Sequence, residues 1–243
     1  MNNNHVFNRN NIKIYYKEKD KIYVNETYSG ILEGVRLLRD YLKIKKTLPA
    51  IEITLAENRK EYDLILSNKL GLKIVKTPAT RIGQPIGTNL LLLSPNAYES
   101  DSKYTYKKEE YHRLMIHEYT HIIIRLLSCR EEAVPRWFEE GLAVYLSEQW
   151  LYEDEFIEPV YWGVKKNKIP TLSKIISNRV YYYFWGWTIV KYIEKYYGIK
   201  MILEIISNCS QYYDVFKIIG EECNVVEIKW RKDLINNINE YIQ

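Results

Sequence analysis

Two histidines and a glutamate fall within five residues of the sequence, at His117, Glu118 and His121. In an α-helix, residues i and i+4 lie on the same face, so both imidazoles can bind one Zn²⁺. Glu118 is rotated by about 100° from His117, because an α-helix has about 3.6 residues per turn. It can therefore reach a metal-bound water without competing for the metal. The H-E-x-x-H spacing indicates a zinc site with Glu118 as general base.

Apolar residues surround this motif on both sides. Leu114, Met115 and Ile116 precede it, and residues 122–124 are three consecutive isoleucines. Ionisable groups are costly to bury unless something pairs with them, and an apolar surround strengthens the electrostatics of a metal. The context therefore favours a metal site. The alternative is that His117 and His121 are hydrogen-bonded core residues of an ordinary helix.

Catalytic zinc usually takes a third protein ligand and leaves one position open. The next predicted helix offers two candidates, Glu139 and Glu140, in the otherwise apolar stretch W-F-E-E-G-L-A-V-Y-L. Spacing alone does not choose between these two carboxylates.

With these residues the sequence resembles the gluzincins, zinc peptidases that pair H-E-x-x-H with a glutamate on the following helix. It is most similar to small bacterial peptidases of the aminopeptidase N-like superfamily, which carry a W-x-x-E-G-x-A segment. Trp137 to Ala143 match this segment, and 18 residues separate His121 from Glu140, the gap that those enzymes use. The resemblance implies that His117, His121 and Glu140 bind one Zn²⁺ per chain. It also implies that Glu139 faces solvent.

A later segment, Tyr183-Phe184-Trp185-Gly186, matches the Tyr-x-x-Gly of the same family. There the phenol stands at the start of a helix and hydrogen-bonds the developing oxyanion, a suitable role for a donor beside zinc. The resemblance therefore implies Tyr183 as a second catalytic residue with Glu118. Tyr181 and Tyr182 directly precede it and remain alternatives.

The family commonly has an upstream edge strand that pairs with an extended substrate by β-addition. Residues 87–93 occupy the matching place, but the four leucines favour an ordinary buried strand. Only backbone groups near Gly87 to Asn89 are expected to reach a ligand. Two features depart from the family. The chain has no G-x-M-E-N segment, which holds a substrate's free amine, and Val144 stands where thermolysin-like members have an aspartate that orients a zinc histidine. Exopeptidase activity is therefore not implied, and another group must orient the histidines.

Hydrophobic patterning predicts the elements that position these residues. Strands are expected at 12–16, 50–56, 72–77 and within 81–95, and helices at 27–44, 59–71, 107–128, 135–151, 181–198, 200–207, 211–220 and 225–241. Pattern and resemblance together predict an α+β, zincin-like fold. Its N-terminal subdomain (1–104) has a mixed β-sheet with helices, packed on a helical zinc-binding subdomain (105–243), with the active-site cleft between them. His112 is expected at the surface, and His5 in a disordered tail.

The composition limits the classes of partner that we expect. The net charge is +4, from 35 basic and 31 acidic residues spread along the chain, and it does not indicate a basic patch that binds nucleic acid. No stretch has the apolar length of a membrane span, and the N-terminus lacks the apolar core of a signal peptide. Three cysteines without C-x-x-C spacing are expected to be reduced thiols. We therefore expect a cytoplasmic protein with a peptide or protein substrate, and neither nucleic acid nor membrane as partner.

These observations predict a zinc metallopeptidase that hydrolyses peptide bonds with a metal-activated water and a glutamate base. Two alternatives stay open. One is a regulatory metalloprotease-like domain that acts on a single protein partner. The other is a non-catalytic helical interaction domain.

Overall fold

The computed structural model describes residues 4–45, 48–73, 75–128, 134–209 and 214–242. The fold is mixed α and β, as expected, and the chain divides into two compact units. The first comprises Met1–Arg39 and Ile44–Ile122, and the second Asp40–Lys43 and Ile123–Gln243. The subdomains expected at 1–104 and 105–243 stay a prediction.

The first unit contains a five-stranded mixed sheet within the described residues, in the order β1-β2-β3-β5-β4. The strands are β1 (His5–Arg9), β2 (Ile12–Tyr16), β3 (Ile51–Ala56), β4 (Gly83–Ile86) and β5 (Asn89–Leu93). β2, β3 and β5 are parallel, whereas β1 and β4 pair antiparallel with β2 and β5. Ile14, Ile53 and Leu90 are aligned across the three central strands and all are buried, so this face forms the core.

Four helices begin in the first unit. They are α1 (Lys21–Tyr41), α2 (Arg59–Leu70), α3 (Tyr98–Asp101) and α4 (Lys108–Leu127), with 3₁₀ turns at Glu18–Asp20 and Pro95–Ala97. Gly30 of α1 allows α4 to approach closely. A Cβ on Gly30 would lie 2.9 Å from Cγ of Met115, whereas one on Gly34 would make an ordinary contact, 3.4 Å from Cα of Ile116. This packing fixes the rotation of α4, on which His117 and His121 lie.

The second unit is helical over its described residues. It contains α5 (Arg136–Leu146), α6 (Gln149–Tyr152), α7 (Asp154–Lys165), α8 (Leu172–Ser177), α9 (Arg179–Asn208), α10 (Asp214–Ile219), α11 (Cys223–Asn237) and a 3₁₀ turn at Ile238–Ile242. α5 packs along α9, and the two helices meet at Gly141 and Gly186. A Cβ on Gly141 would lie 2.6 Å from the carbonyl carbon of Gly186, so neither position has room for a side chain. Trp137 is fully buried beside this crossing and stacks on Phe216.

Several predicted elements are confirmed to within two residues. They are the strands at 12–16 and 50–56, and the helices at 59–71 and 107–128. The helix expected to end at Gly198 is interrupted there, because Gly198 has φ 77° and ψ 171°. The helix at 211–220 is found from Asp214 to Ile219, and residues 210–213 lie outside the described residues.

Other predicted elements are wrong. The described residues of segment 72–77 form no strand. The helix expected at 135–151 is broken after Leu146, because Glu148 adopts φ 58° and separates α5 from α6. No helix was predicted for the residues of α7. Pro159 lies inside this helix, and the buried Phe156 and Val160 anchor the helix to the core.

Cys209 and Cys223 are free thiols, and Cys129 lies outside the described residues. Over the described ranges, no helix combines the length and the apolar character that crossing a membrane requires.

Candidate metal centre

Helix α4 brings the imidazole rings of His117 and His121 together, edge to face. Their Nε2 atoms lie 3.2 Å apart, and their rings are 5.0 Å apart at an angle of 71°. Both side chains are buried, with 5% of each residue exposed. Two nitrogens bound tetrahedrally to one Zn²⁺ at about 2.0–2.1 Å would stand about 3.3 Å from each other. The histidine pair therefore has the spacing of two ligands to one ion.

Glu140 of α5 completes a group of three ligands. One ligand atom from each of His117, His121 and Glu140 lies within 4.8 Å of the other two. Glu140 is half-buried, and the two histidines are buried. Two imidazole nitrogens and one carboxylate oxygen are a donor set of catalytic zinc sites. The group could hold a metal ion.

Glu118 lies against the backbone of the edge strand β4. It is 7% exposed. A Cβ built on Gly83 would lie 2.7 Å from Cδ of Glu118 and 2.8 Å from its Cγ. The side chain of Glu118 thus occupies the space that any side chain at position 83 would need.

Two buried phenols experience the charge of Glu118. Burial, and after it the charge of Glu118, raises the pKa of Tyr62 well above its usual value. Burial is also the main cause of the raised pKa of Tyr98, with smaller contributions from Tyr111, Tyr106 and Glu118. Neither hydroxyl makes a hydrogen bond to the described residues. Both phenols therefore stay protonated at neutral pH and do not compete with Glu118 as a base.

Glu139 was expected to face solvent, and this is wrong. It is 5% exposed, and its carboxylate lies 3.0 Å from Nη1 of Arg136 and 3.8 Å from Nη2 of Arg125. These two cations offset the cost of burying the carboxylate. Arg125 lies one helical turn after His121, and Glu139 directly precedes Glu140. The ion pair thus joins α4 and α5, the two helices that carry the three ligand candidates.

Tyr183 is the fifth residue of α9 and is half-buried, with its ring 5.3 Å from that of Phe156. The glycine contact between Gly141 and Gly186 brings the W-x-x-E-G and Tyr-x-x-Gly segments together in the second unit. Tyr182 is also half-buried, and Tyr181 lies under the ammonium group of Lys174, 4.3 Å from the ring centre. The catalytic role of Tyr183 stays a prediction.

The other two histidines pair with carboxylates outside this group. His112, expected at the surface, is half-buried, and its Nε2 lies 3.0 Å from Oε2 of Glu26. His5, expected in a disordered tail, is the first residue of β1, and its Nε2 lies 3.2 Å from Oε2 of Glu18.

The ordinary buried strand favoured for Leu90 to Leu93 is confirmed, because these residues are buried in β5, which is internal between β3 and β4. An edge strand at this place is therefore wrong. The edge of the sheet beside Glu118 is β4. This strand contains Pro85, which has no N–H group to donate, and an edge strand tolerates it because a donor on the outer side is not needed for pairing. Gly83 was not predicted from the sequence, although a glycine in a strand is a known signal of close approach by another group.

No protein-family model matches the chain, and no curated protein is found to be similar to it. The resemblance to gluzincins therefore rests on the motif residues alone.

Proposed function

We propose that this chain is a zinc-dependent metallopeptidase of gluzincin type, with one Zn²⁺ held by His117, His121 and Glu140. The observation that carries the proposal is the convergence of these three ligand atoms within 4.8 Å of one another. The 3.2 Å separation of the two Nε2 atoms supports it, because it suits two nitrogens on one tetrahedral ion. Zn²⁺ bound there would polarise the peptide carbonyl and lower the pKa of a bound water towards neutrality.

Glu118 is the general base in this proposal. It accepts a proton from the attacking water as the new C–O bond forms, and it delivers that proton to the amine as the C–N bond breaks. Its place in sequence, directly after His117, and its nearly complete burial support this role. Tyr183 is proposed to donate a hydrogen bond to the oxyanion that develops on the carbonyl oxygen.

The outer edge of β4, which pairs with no other described strand, supports a peptide as substrate. The N–H of Leu93 donates to the carbonyl of Ile82 at 2.8 Å. In an antiparallel pair, hydrogen-bonded and non-hydrogen-bonded positions alternate. Gln84 therefore directs its backbone groups towards β5, whereas Gly83 directs its N–H and C=O towards the open edge. An extended peptide could add to this edge as a further strand, next to Glu118.

Metal analysis together with a substitution at Glu118 tests the proposal. Purified protein should contain about one zinc per chain, as a three-ligand catalytic site requires. Glu118→Gln should keep the zinc and lose hydrolysis of a peptide library, because a neutral amide accepts no proton. Glu109→Gln, at an exposed glutamate of the same helix, is the matched control and should change neither.

Absence of zinc, or full activity of Glu118→Gln, would contradict the proposal. Zinc without turnover of any library peptide, but with cleavage of one protein partner, would point to the regulatory alternative. Absence of metal, together with stability that a chelator leaves unchanged, would favour a non-catalytic helical domain.

A further inference from the structure

Gly83 is a glycine because of space and not because of backbone conformation. The two turn glycines nearest to it in sequence, Gly71 and Gly87, have φ of 65° and 61°, and a Cβ on either would meet nothing within 4 Å. Gly83 is a regular strand residue opposite Leu92, and no such positive φ is found there. A Cβ on Gly83 would nevertheless lie closer to Glu118 than the 3.0 Å that real Cβ atoms respect.

Glu118 is the nearest neighbour in that space. The three nearest atoms to the built Cβ belong to its side chain, including Cδ at 2.7 Å and Cγ at 2.8 Å. The alternation of side chains along β4 places Gly83 on the face of Pro85, and their partners on β5, Leu92 and Leu90, are both buried. The carboxyl group of Glu118 therefore packs directly on the backbone of β4.

We propose that Gly83 is a positioning residue for Glu118, and that its missing side chain sets the distance between the base and the outer edge of β4. As a statement about catalysis this rests on the proposed peptidase function, whereas the contact itself does not. The backbone of Gly83 would then contact Glu118 on one face of β4. At the edge of the strand, its N–H and C=O would be available to a substrate main chain.

A methyl group at position 83 has to move the carboxyl of Glu118 or the strand. Glu118 points about 100° away from His117 around α4. The displacement should therefore leave the imidazoles of His117 and His121 in place. Gly83→Ala should therefore change the position of the base without changing the binding of metal.

Crystal structures of the wild type and Gly83→Ala test the contact without any activity. We expect the Glu118 carboxyl to move by about 1 Å or more, a misplacement sufficient to cost catalysis about 10²-fold, with both imidazoles unmoved. A carboxyl at its wild-type position would overturn the proposal. Gly34→Ala is the matched control, because a Cβ there would lie 3.4 Å from its nearest neighbour, which is ordinary contact.

A double-mutant cycle of positions 83 and 118, measured by thermal unfolding of metal-free protein, tests the contact independently. Gly83→Ala should lower the midpoint by about 2–4 °C in the wild type and in Glu118→Gln, which keeps the shape of the side chain. In Glu118→Ala, which removes Cγ and Cδ, the loss should disappear. If Gly83→Ala changes the unfolding midpoint equally in all three backgrounds, or changes it in none, the proposed contact is contradicted. If Gly83→Ala alone does not fold, recovery of folding in the Glu118→Ala background supports it.

With zinc bound, Gly83→Ala should lose about 10²-fold in kcat, with KM and zinc content close to wild type. An unchanged kcat, or a raised KM with unchanged kcat, would overturn the positioning role. If the wild type neither holds zinc nor cleaves peptides, the peptidase proposal fails, while the crystal structures and the unfolding cycle still decide the contact between Gly83 and Glu118.

Discussion

The Nε2 atoms of His117 and His121 face each other at 3.2 Å on one side of helix α4. At this distance two neutral imidazoles can share one hydrogen bond, with one ring donating and the other accepting. The same arrangement directs both rings at the position where an ion would bind them, with Glu140 as a third donor. If the two rings are metal ligands, removal of one ring should weaken metal binding. If they are only hydrogen-bonded core residues, it should not.

Substitution of either ligand histidine should abolish tight zinc binding. Loss of a group that merely orients a ligand costs metal affinity about 10–100-fold, so His117→Ala and His121→Ala should cost more than about 100-fold. Competition with a chromophoric chelator measures the affinity. His112→Ala is the control on the same helix, because this imidazole pairs with Glu26 and should leave zinc binding unchanged. Equal affinities of all three variants would show that the ring pair is an ordinary core contact.

Glu139→Gln should weaken both the fold and the metal site. It leaves Arg125 and Arg136 without the carboxylate that they share, which should lower the free energy of unfolding by about 1–3 kcal/mol. Because Glu139 joins α4 to α5 directly before Glu140, zinc affinity should also fall, by about tenfold or more. Urea unfolding and chelator competition measure the two effects. Glu204→Gln, at an exposed glutamate of α9, should affect neither, and wild-type affinity in Glu139→Gln would contradict the positioning of α5 by this ion pair.

Gly141→Ala should destabilise the second unit. Its Cβ would lie 2.6 Å from the carbonyl carbon of Gly186, and that neighbour is backbone, which cannot rotate away. We expect a loss of about 1–3 kcal/mol from overpacking, although alanine alone would favour a helix by up to about 1 kcal/mol. Gly34→Ala on α1 offers the matched comparison and should be neutral or slightly stabilising. Similar urea midpoints for both variants would show that α5 and α9 do not meet through these glycines.

Acid should remove the contribution of Glu221 to stability. Hydrogen bonds from Lys229 and then Tyr197, each 2.6 Å long, lower the pKa of Glu221 below its ordinary value. A carboxylate with a lowered pKa in the folded state stabilises it above the unfolded pKa of about 4.3, and this stabilisation is lost as pH falls through the folded value.

The wild type should therefore exceed Glu221→Gln in stability at pH 7, and the difference should shrink as the pH falls below about 4. Urea unfolding at several pH values measures it, with Glu158→Gln at an exposed glutamate of α7 as control. A difference that is independent of pH would show that the carboxylate charge does not contribute.

The sequence was most informative where local pattern and tertiary environment agree. Apolar residues on both sides of His117 and His121 predicted α4 to within one residue at each end, because the whole stretch from Met115 to Ile124 is buried. The gap to Glu140 singled out this carboxylate through the resemblance, and the structure groups it with both histidines.

Errors arose where a distant residue decides the environment. The burial of Glu139 depends on Arg125, 14 residues earlier on another helix, which no local pattern contains. Gly83 was missed because its partner Glu118 comes from α4, far along the chain. The β1–β2 hairpin was readable in principle, since Asn10 and Asn11 both have positive φ and form the two-residue turn that asparagine favours.

The most direct test of the metal centre is the zinc content of purified protein, measured by mass spectrometry for the wild type and Glu140→Ala side by side. We expect about one zinc per chain in the wild type, as three protein ligands imply, and much less in Glu140→Ala after brief exposure to a chelator. A wild type without zinc after reconstitution, or a Glu140→Ala variant that holds zinc as tightly as the wild type, would contradict a site formed by His117, His121 and Glu140.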